Sequence, residues 1–311
     1  MLETKFNIDL PLLKMAEALG RQIGNTPVHQ FRHWKDKHIR VLAKLEWKQL
    51  SGSVKARAAY NIILNAIREG KLNTDKRLLD ATSGNTGIAY ATICKLLGIE
   101  VTLCLPENAS QERKDILKKL GVEIIFTSPF EGTDGAQEKA LELSIRNRDD
   151  YFYADQYKNP NNWKSHYYTT APEILMSVPG ITHFVAGLGT TGTFIGTGRR
   201  LKELNQSIRL ISLQPEFALH GMEGWKHLET AAIPGIYDDS LADETELIST
   251  EEAYLTIGYV YKQDGILLSP SSAANLVGAY RIAERAKNSV VVTVLPDNAD
   301  KYKDVIKFLK L

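Results

Sequence analysis

The chain has 311 residues, 43% of them hydrophobic, and a formal net charge of +1, enough length for one large or two medium domains with buried cores. So balanced a charge gives no electrostatic reason to expect nucleic acid or an anionic membrane surface as a partner, and no stretch approaches membrane-spanning length. The opening Met1-Leu2-Glu3-Thr4-Lys5-Phe6 lacks the basic segment and apolar run of a signal peptide, and the two cysteines, Cys94 and Cys104, cannot build a disulfide framework. A cytoplasmic globular protein acting on small molecules is expected.

From about residue 39 onward, short β-branched runs alternate with longer amphipathic stretches. The candidate strands are 41–45, 78–81, 101–105, 123–126, 184–186, 208–213 and 290–295, most of them apolar without clean alternation. Such runs suit strands covered on both faces. Helical patterns lie between them, among others at 87–97, 111–120, 193–204 and 273–286. This rhythm predicts an α/β protein of two open domains with mainly parallel, twisted sheets. The expected division sets a smaller domain, 47–154, apart from a larger one formed by 1–46 and 155–311.

Three segments carry chemistry. In Ser51-Gly52-Ser53-Val54-Lys55-Ala56-Arg57, a strand ending near Trp47 meets an apolar-periodic helix, so Lys55 falls in the first helical turn. The partial positive charge of a helix N-terminus favours the neutral amine there, the form a Schiff base with an aldehyde requires. On this segment alone, a solvated surface lysine is the stronger reading. Thr82-Ser83-Gly84-Asn85-Thr86-Gly87 follows an apolar strand and opens a helix, so it reads as a carboxylate-binding loop. It reads equally as a polar turn with Ser83 or Asn85 as the N-cap. Gly187-Leu188-Gly189-Thr190-Thr191-Gly192-Thr193 matches G-x-G-x-x-G over 187–192, and Glu216 follows about two dozen residues on, as in a dinucleotide site. A nicotinamide-dependent dehydrogenase is therefore a rival reading. Against it, the motif falls in mid-chain, and the hydroxyls of Thr190, Thr191 and Thr193 suit a terminal phosphate dianion better. A glycine turn for close helix packing is the bland alternative.

Other features carry less. His29 and His33 share an i, i+4 spacing without a third ligand, so no metal site is expected. The run Glu112-Arg113-Lys114-Asp115 reads as a solvated helix face.

Taken in this order, the segments resemble the fold-type II pyridoxal-phosphate (PLP) enzymes, the family of cysteine synthases, O-acetylserine and O-phosphoserine sulfhydrylases and cystathionine β-synthases. Gly24-Asn25-Thr26-Pro27 is similar to the family's opening motif, Ser53-Val54-Lys55 to its cofactor lysine, and Thr82–Gly87 to its substrate-carboxylate loop. Gln156-Tyr157-Lys158-Asn159-Pro160 resembles the segment whose glutamine also binds that carboxylate. Gly189–Thr193 resembles the phosphate loop, and Gly265-Ile266-Leu267 leading to Ser271-Ser272 the stretch that places a serine at the pyridine nitrogen. Two departures stand out. Ala56-Arg57 follows the lysine where most members have Asp-Arg, and Ser271-Ser272-Ala273-Ala274 replaces the usual serine-glycine.

The resemblance implies a tryptophan synthase β-like fold, a homodimer, and PLP held by Lys55, Asn85, Gly189, Thr190, Thr191, Gly192, Thr193 and Ser271. It places the substrate carboxylate on Thr82, Ser83, Gly84, Thr86 and Gln156 of the smaller domain, and the cofactor phosphate on the larger. The implied reaction is β-replacement forming L-cysteine from O-acetylserine or O-phosphoserine and a sulfur nucleophile. The alternatives within the family are a cysteine lyase releasing sulfide and a cystathionine β-synthase-type condensation. In phosphoserine-using relatives a basic side chain precedes a Pro-x-x-Tyr-Asp stretch, and here Lys226 precedes Pro234-Gly235-Ile236-Tyr237-Asp238. Lys226 is thus the candidate for recognising a phosphate leaving group, with a plain surface lysine as the alternative.

Overall fold

The computed structural model describes residues 8–31, 38–82 and 84–311. The strands are β1 (Val28–Phe31), β2 (Arg40–Leu45), β3 (Arg77–Ala81), β4 (Val101–Pro106), β5 (Glu123–Thr127), β6 (Tyr151–Tyr153), β7 (His183–Gly187), β8 (Arg209–Pro215), β9 (Glu244–Ile248) and β10 (Val290–Leu295). The helices are α1 (Leu10–Leu19), α2 (Lys55–Arg68), α3 (Asn85–Leu97), α4 (Gln111–Lys119), α5 (Gly132–Arg146), α6 (Pro160–Ser165), α7 (Ala171–Ser177), α8 (Gly192–Leu204), α9 (Thr250–Asp264), α10 (Pro270–Arg285) and α11 (Lys303–Phe308). A π turn, His166–Thr170, joins α6 to α7.

Two compact units emerge: Met1–Ile23 with Lys55–Asn162, and Gly24–Val54 with Trp163–Leu311. The sequence places a boundary near residue 47 and assigns the N-terminus to the other unit. In the structure α1 packs in the first unit, where the Tyr60 hydroxyl donates to Ala16 O at 3.1 Å and Arg68 pairs with Glu17.

The first unit is a four-stranded sheet in the order β5-β4-β3-β6, parallel throughout. Every residue of β4 is buried, as befits a parallel strand covered on both faces. Leu79, Ala81 and Cys104 pack with Ala136 and Ala140 of α5. Side chains of opposite parity face the other way: Leu103 meets α3, close enough that a Cβ on Gly87 would fall 2.6 Å from it.

The second unit is a six-stranded sheet, β1-β2-β10-β7-β8-β9, with only β1 antiparallel. Alternation again decides the face. Val41, Val185, Ile211 and Val291 pack under α9 and α10, whereas Leu42, Phe184, Leu210 and Val292 pack under α7 and α8.

Each sheet has a strand at which the order of connection turns back. In the first unit β3 has β4 and then β5 on one side and β6 on the other; in the second, β7 has β8 and β9 on one side and β10 on the other. The crevice beyond the carboxyl ends of strands at such a point is where open α/β sheets hold ligands. The loops that leave β3 and β7 are Thr82–Gly87 and Leu188–Thr193. Among the described residues, no helix is long and apolar enough to cross a membrane, and no group of three His, Cys, Asp or Glu residues is arranged to hold a metal ion.

Candidate active site

In the second unit the glycines after β7 answer to a segment well downstream. A Cβ on Gly187 would fall 2.1 Å from the Trp225 ring, and one on Gly189 would fall 2.0 Å from the Gly224 carbonyl oxygen. Both positions therefore tolerate only hydrogen, because the 221–226 segment lies directly on this loop. The Lys226 amide donates to Leu188 O at 2.8 Å. Lys226 is consequently buried, at 9% exposure, and not the surface lysine of the bland reading. Asn275 of α10 holds the loop from beneath, accepting from Gly187 N at 2.7 Å and donating to Val294 O at 2.9 Å.

Thr191 caps α8 with φ +71°, a left-handed conformation that costs a threonine energy. Its hydroxyl oxygen is buried without a hydrogen-bond partner. A strained cap with an orphaned buried hydroxyl, at the N-terminus of a 13-residue helix, is a donor set for an anion. Gly192 is the first residue of α8 and Thr190 is buried beside it. The Thr193 hydroxyl lies 3.3 Å from His166 Nε2, and His166 Nδ1 lies 2.9 Å from the Thr170 hydroxyl. His166 is buried and opens the π turn. Sequence reading passed over it, since a π turn has no pattern of its own at this length.

At the head of α10 the serines separate by their bonds. Ser269 is the N-cap and accepts from Ser272 N at 3.2 Å. The Ser272 hydroxyl donates to Asp297 O at 2.6 Å, so its proton is committed. Among the described residues, the Ser271 hydroxyl meets that of Ser269, at 3.3 Å, where either can donate.

The lysine segment is anchored in this unit up to its last residue before the lysine. Val54 N donates to Pro296 O at 2.8 Å, and Lys301 Nζ to Gly52 O at 3.1 Å. The Gly24–Pro27 turn lies here too, with the Thr26 hydroxyl donating to Glu46 Oε1 at 2.6 Å and Lys44 Nζ to Thr26 O at 2.8 Å. Lys55 itself opens α2 of the first unit.

In the first unit the Thr82 hydroxyl oxygen accepts from Gly84 N at 3.0 Å and Gly87 N at 3.2 Å, folding the loop over the end of β3. Gly84 has φ +155°, and a Cβ on it would fall 2.3 Å from Arg113 Cδ. Arg113, read from the sequence as part of a solvated face, is 3% exposed because its side chain lies along this loop. The Thr86 hydroxyl donates to Gln156 Oε1 at 2.7 Å, and Gln156 Nε2 donates to Ala81 O at 2.7 Å. These bonds bring the two segments together across 70 residues of chain. Asn85 is the first residue of α3; Ser83 lies outside the described residues. Beneath the loop sits Asp80, fully buried, a residue that reads from the sequence as an ordinary strand position.

The remaining candidates fall away. His29 lies in β1, not on a helix, so its spacing to His33, which is outside the described residues, carries no helical meaning. Cys94 and Cys104 are buried thiols; burial raises both, Cys104 to about 12, and such thiols are inert as nucleophiles.

An aromatic aldehyde carrying a phosphate fits these residues. In the second unit the amides at the head of α8 and the Thr191 hydroxyl suit a phosphate and the Ser271 hydroxyl suits a ring nitrogen, while in the first unit Lys55 carries the kind of amine an aldehyde would need. The profile of the family described as pyridoxal-phosphate dependent enzymes matches residues 19–297. A cysteine synthase of Aquifex aeolicus is 43% identical over 303 residues, covering 94% of this chain and 93% of the relative. Among solved structures, an O-acetylserine dependent cystathionine β-synthase from Helicobacter pylori superposes with a TM-score of 0.85 at 35% identity, over 93% of this chain and 96% of its own. A hydrogen sulfide-producing enzyme from Fusobacterium nucleatum does so with a TM-score of 0.88 at 30% identity, over 96% and 92%. The dinucleotide reading of 187–192 gives way to the family match over residues 19–297, which spans the same glycines.

Proposed function

The chain belongs to the pyridoxal-phosphate dependent enzymes of the cysteine synthase kind, and from that premise we propose that it makes L-cysteine by β-replacement, from O-acetylserine or O-phosphoserine and a sulfur nucleophile. The observation that supports this best is the phosphate-sized donor set at the head of α8, with its buried, unpartnered Thr191 hydroxyl. Bound pyridoxal phosphate draws electrons from the substrate Cα, which lets the β-substituent leave and a sulfur nucleophile replace it. In this reading Lys55 Nζ would hold the cofactor by its aldehyde carbon and would take the Cα proton of the bound amino acid. Asn85 bonds the cofactor's ring oxygen, while Gly189–Thr193 hold its phosphate. Thr82, Ser83, Gly84, Thr86 and Gln156 grip the substrate carboxylate and orient the Cα bond. A cytoplasmic homodimer is the expected working form.

The reading is tested by incubating the purified protein with each of O-acetylserine, O-phosphoserine, serine and cysteine, alone and with sulfide or homocysteine, and identifying the products. Cysteine formed from an O-substituted serine supports it. Release of sulfide from cysteine without net synthesis replaces it by the lyase reading, and condensation with homocysteine by the cystathionine reading.

Ser271 is proposed as the partner of the pyridine nitrogen, because the Ser272 proton is already given to Asp297 O. Ser271→Ala is expected to shift the cofactor's absorbance with little loss of stability. Ser272→Ala is expected to leave the spectrum alone and cost about 0.5–1.5 kcal/mol, since it removes a buried hydrogen bond to Asp297 O, which keeps its bond from Ser269 Oγ at 3.1 Å. Paired spectra and urea melts check both; the opposite assignment of effects would make Ser272 the partner.

Lys226 is proposed to receive a phosphate leaving group. A departing phosphate carries nearly two negative charges, which a nearby ammonium stabilises as they develop, whereas an acetate ester gains little. Lys226→Ala is expected to lower kcat/KM for O-phosphoserine by roughly ten- to a hundredfold, the equivalent of ~1.5–3 kcal/mol for one charge-assisted hydrogen bond, and to spare O-acetylserine. Equal losses on both substrates would assign Lys226 to loop packing alone.

A further inference from the structure

We propose that Asp80 is a positioning residue for the substrate-carboxylate grip: it sets Gln156 and the end of β3 from beneath and, when ionised, opposes arrival of the substrate's carboxylate. The proposal rests on the reading of Thr82–Gly87 and Gln156 as that grip. Asp80 lies at the carboxyl end of β3, fully buried, two residues before Thr82. Leu79 and Ala81 face the α5 side, so by strand alternation Asp80 points to the α3 side. One carboxylate oxygen accepts from Ala81 N at 2.8 Å and the other from Gln156 N at 3.3 Å. Gln156 then bridges Ala81 O and the Thr86 hydroxyl. A single carboxyl group thus fixes both backbones from which the gripping side chains depart.

Among the described residues, the groups that act most on Asp80 include no cation. Tyr90 of α3 faces it, with Cys94 behind, and the buried Tyr90 hydroxyl has no partner of proper hydrogen-bond geometry. Cys104 of β4, Tyr153 of β6 and Tyr157, in the turn that follows β6, are neutral groups that the Asp80 charge also reaches. Asp155 adds a like charge, itself offset by Lys158. Farther out, α5 carries Asp134, Lys139 and Glu142, which act on Tyr157 and Cys104, and Arg113 of α4 packs on Gly84. Burial therefore outweighs the hydrogen bonds and raises Asp80 to about 7. The neutral form can donate to the waiting Tyr90 hydroxyl. A second carboxylate arriving at the loop above raises Asp80 further, so binding takes up a proton. By linkage, affinity for the amino acid then falls as pH rises through about 7.

The test uses the full-length enzyme with its cofactor and L-alanine, an amino acid without a leaving group, its dissociation constant read from cofactor absorbance between about pH 6 and 8.5 on either side of that titration. The affinity of the native enzyme is expected to weaken across this range about tenfold more than that of Asp80→Asn, the size of a screened like-charge contact. Parallel profiles would overturn the proposal. Thr86→Ala and Gln156→Ala should weaken L-alanine at every pH. If neither does, it is the carboxylate-loop reading that fails, whatever Asp80 shows. Should Asp80→Asn not fold, calorimetry of the native enzyme in two buffers of different ionisation enthalpy decides. L-alanine should take up more protons than ethylamine, which lacks the carboxylate, and equal uptake would overturn the proposal.

Discussion

Lys55→Ala is expected to reduce turnover by about a thousandfold or more and to abolish fixation of the cofactor by borohydride. The size follows from the two duties proposed for one amine: a general base alone contributes roughly 10²–10⁴-fold, and loss of the covalent anchor comes on top of it. The local structure is built to present this residue. Val54 N is tied to Pro296 O and Gly52 O to Lys301 Nζ, so the chain reaches Lys55 along a fixed path. The lysine then enters the first turn of α2. The substitution should leave the fold intact, because alanine is a good helix former. Far-ultraviolet circular dichroism, steady-state kinetics and mass spectrometry of the reduced, digested protein check the three parts. A label found on another lysine, or turnover within tenfold of the native enzyme, would remove Lys55 from the proposed mechanism.

Gly189→Ala should be the most damaging single methyl group in the phosphate loop. Its Cβ would fall 2.0 Å from the Gly224 carbonyl oxygen, and that oxygen is backbone, so no rotamer change can relieve the clash. The whole 221–226 segment has to retreat instead. It is pinned by Lys226 N to Leu188 O at 2.8 Å, by Gly221 N to Thr250 Oγ1 at 2.9 Å, and by the Trp225 ring over Gly187. Overpacking of this kind costs about 1–3 kcal/mol, and more where the backbone is held. Either the loop or the segment yields, and in both cases the amides at the head of α8 lose their aim. Cofactor affinity is expected to fall at least tenfold, by absorbance titration, together with a lower melting temperature. Gly258→Ala makes the control. Nothing lies within 4 Å of the Cβ it would add in α9, and it should stabilise by about 0.5–1 kcal/mol through helix propensity. Equal effects at the two glycines would show that Gly189 is not shaped by Gly224.

The two-unit α/β architecture was legible in the sequence because parallel strands buried on both faces are written as apolar runs. β4 is the clearest, buried at every position. β6 and β9 were not legible: β6 has three residues, all half-buried, and β9, on a sheet edge, half-buries Glu244 and Glu246 while exposing Thr245 and Leu247, against any apolar pattern. The loops after β3 and β7 could be read as anion loops from their glycines and hydroxyls, since a helix beginning straight after a strand leaves amides to be satisfied.

Composition, strand and helix periods and the ordered motifs were thus determined by sequence alone, each being a property of residues near one another in the chain. What only tertiary structure decided are pairings between distant segments. Gly189 needs to be glycine because of Gly224. Arg113 is buried because Gly84 leaves room for it, although its helix reads as solvated. The Ser272 hydroxyl differs from that of Ser271 through its bond to the Asp297 carbonyl, 25 residues beyond Ser272. Asp80 meets Gln156 across 76 residues, and the carboxyl's burial, which shifts its proton equilibrium, exists only once α3 and the neighbouring strands have closed around it. Local sequence sets what a segment is able to form, but the desolvation, steric exclusion and charge coupling that give a residue its chemistry depend on neighbours supplied by the fold.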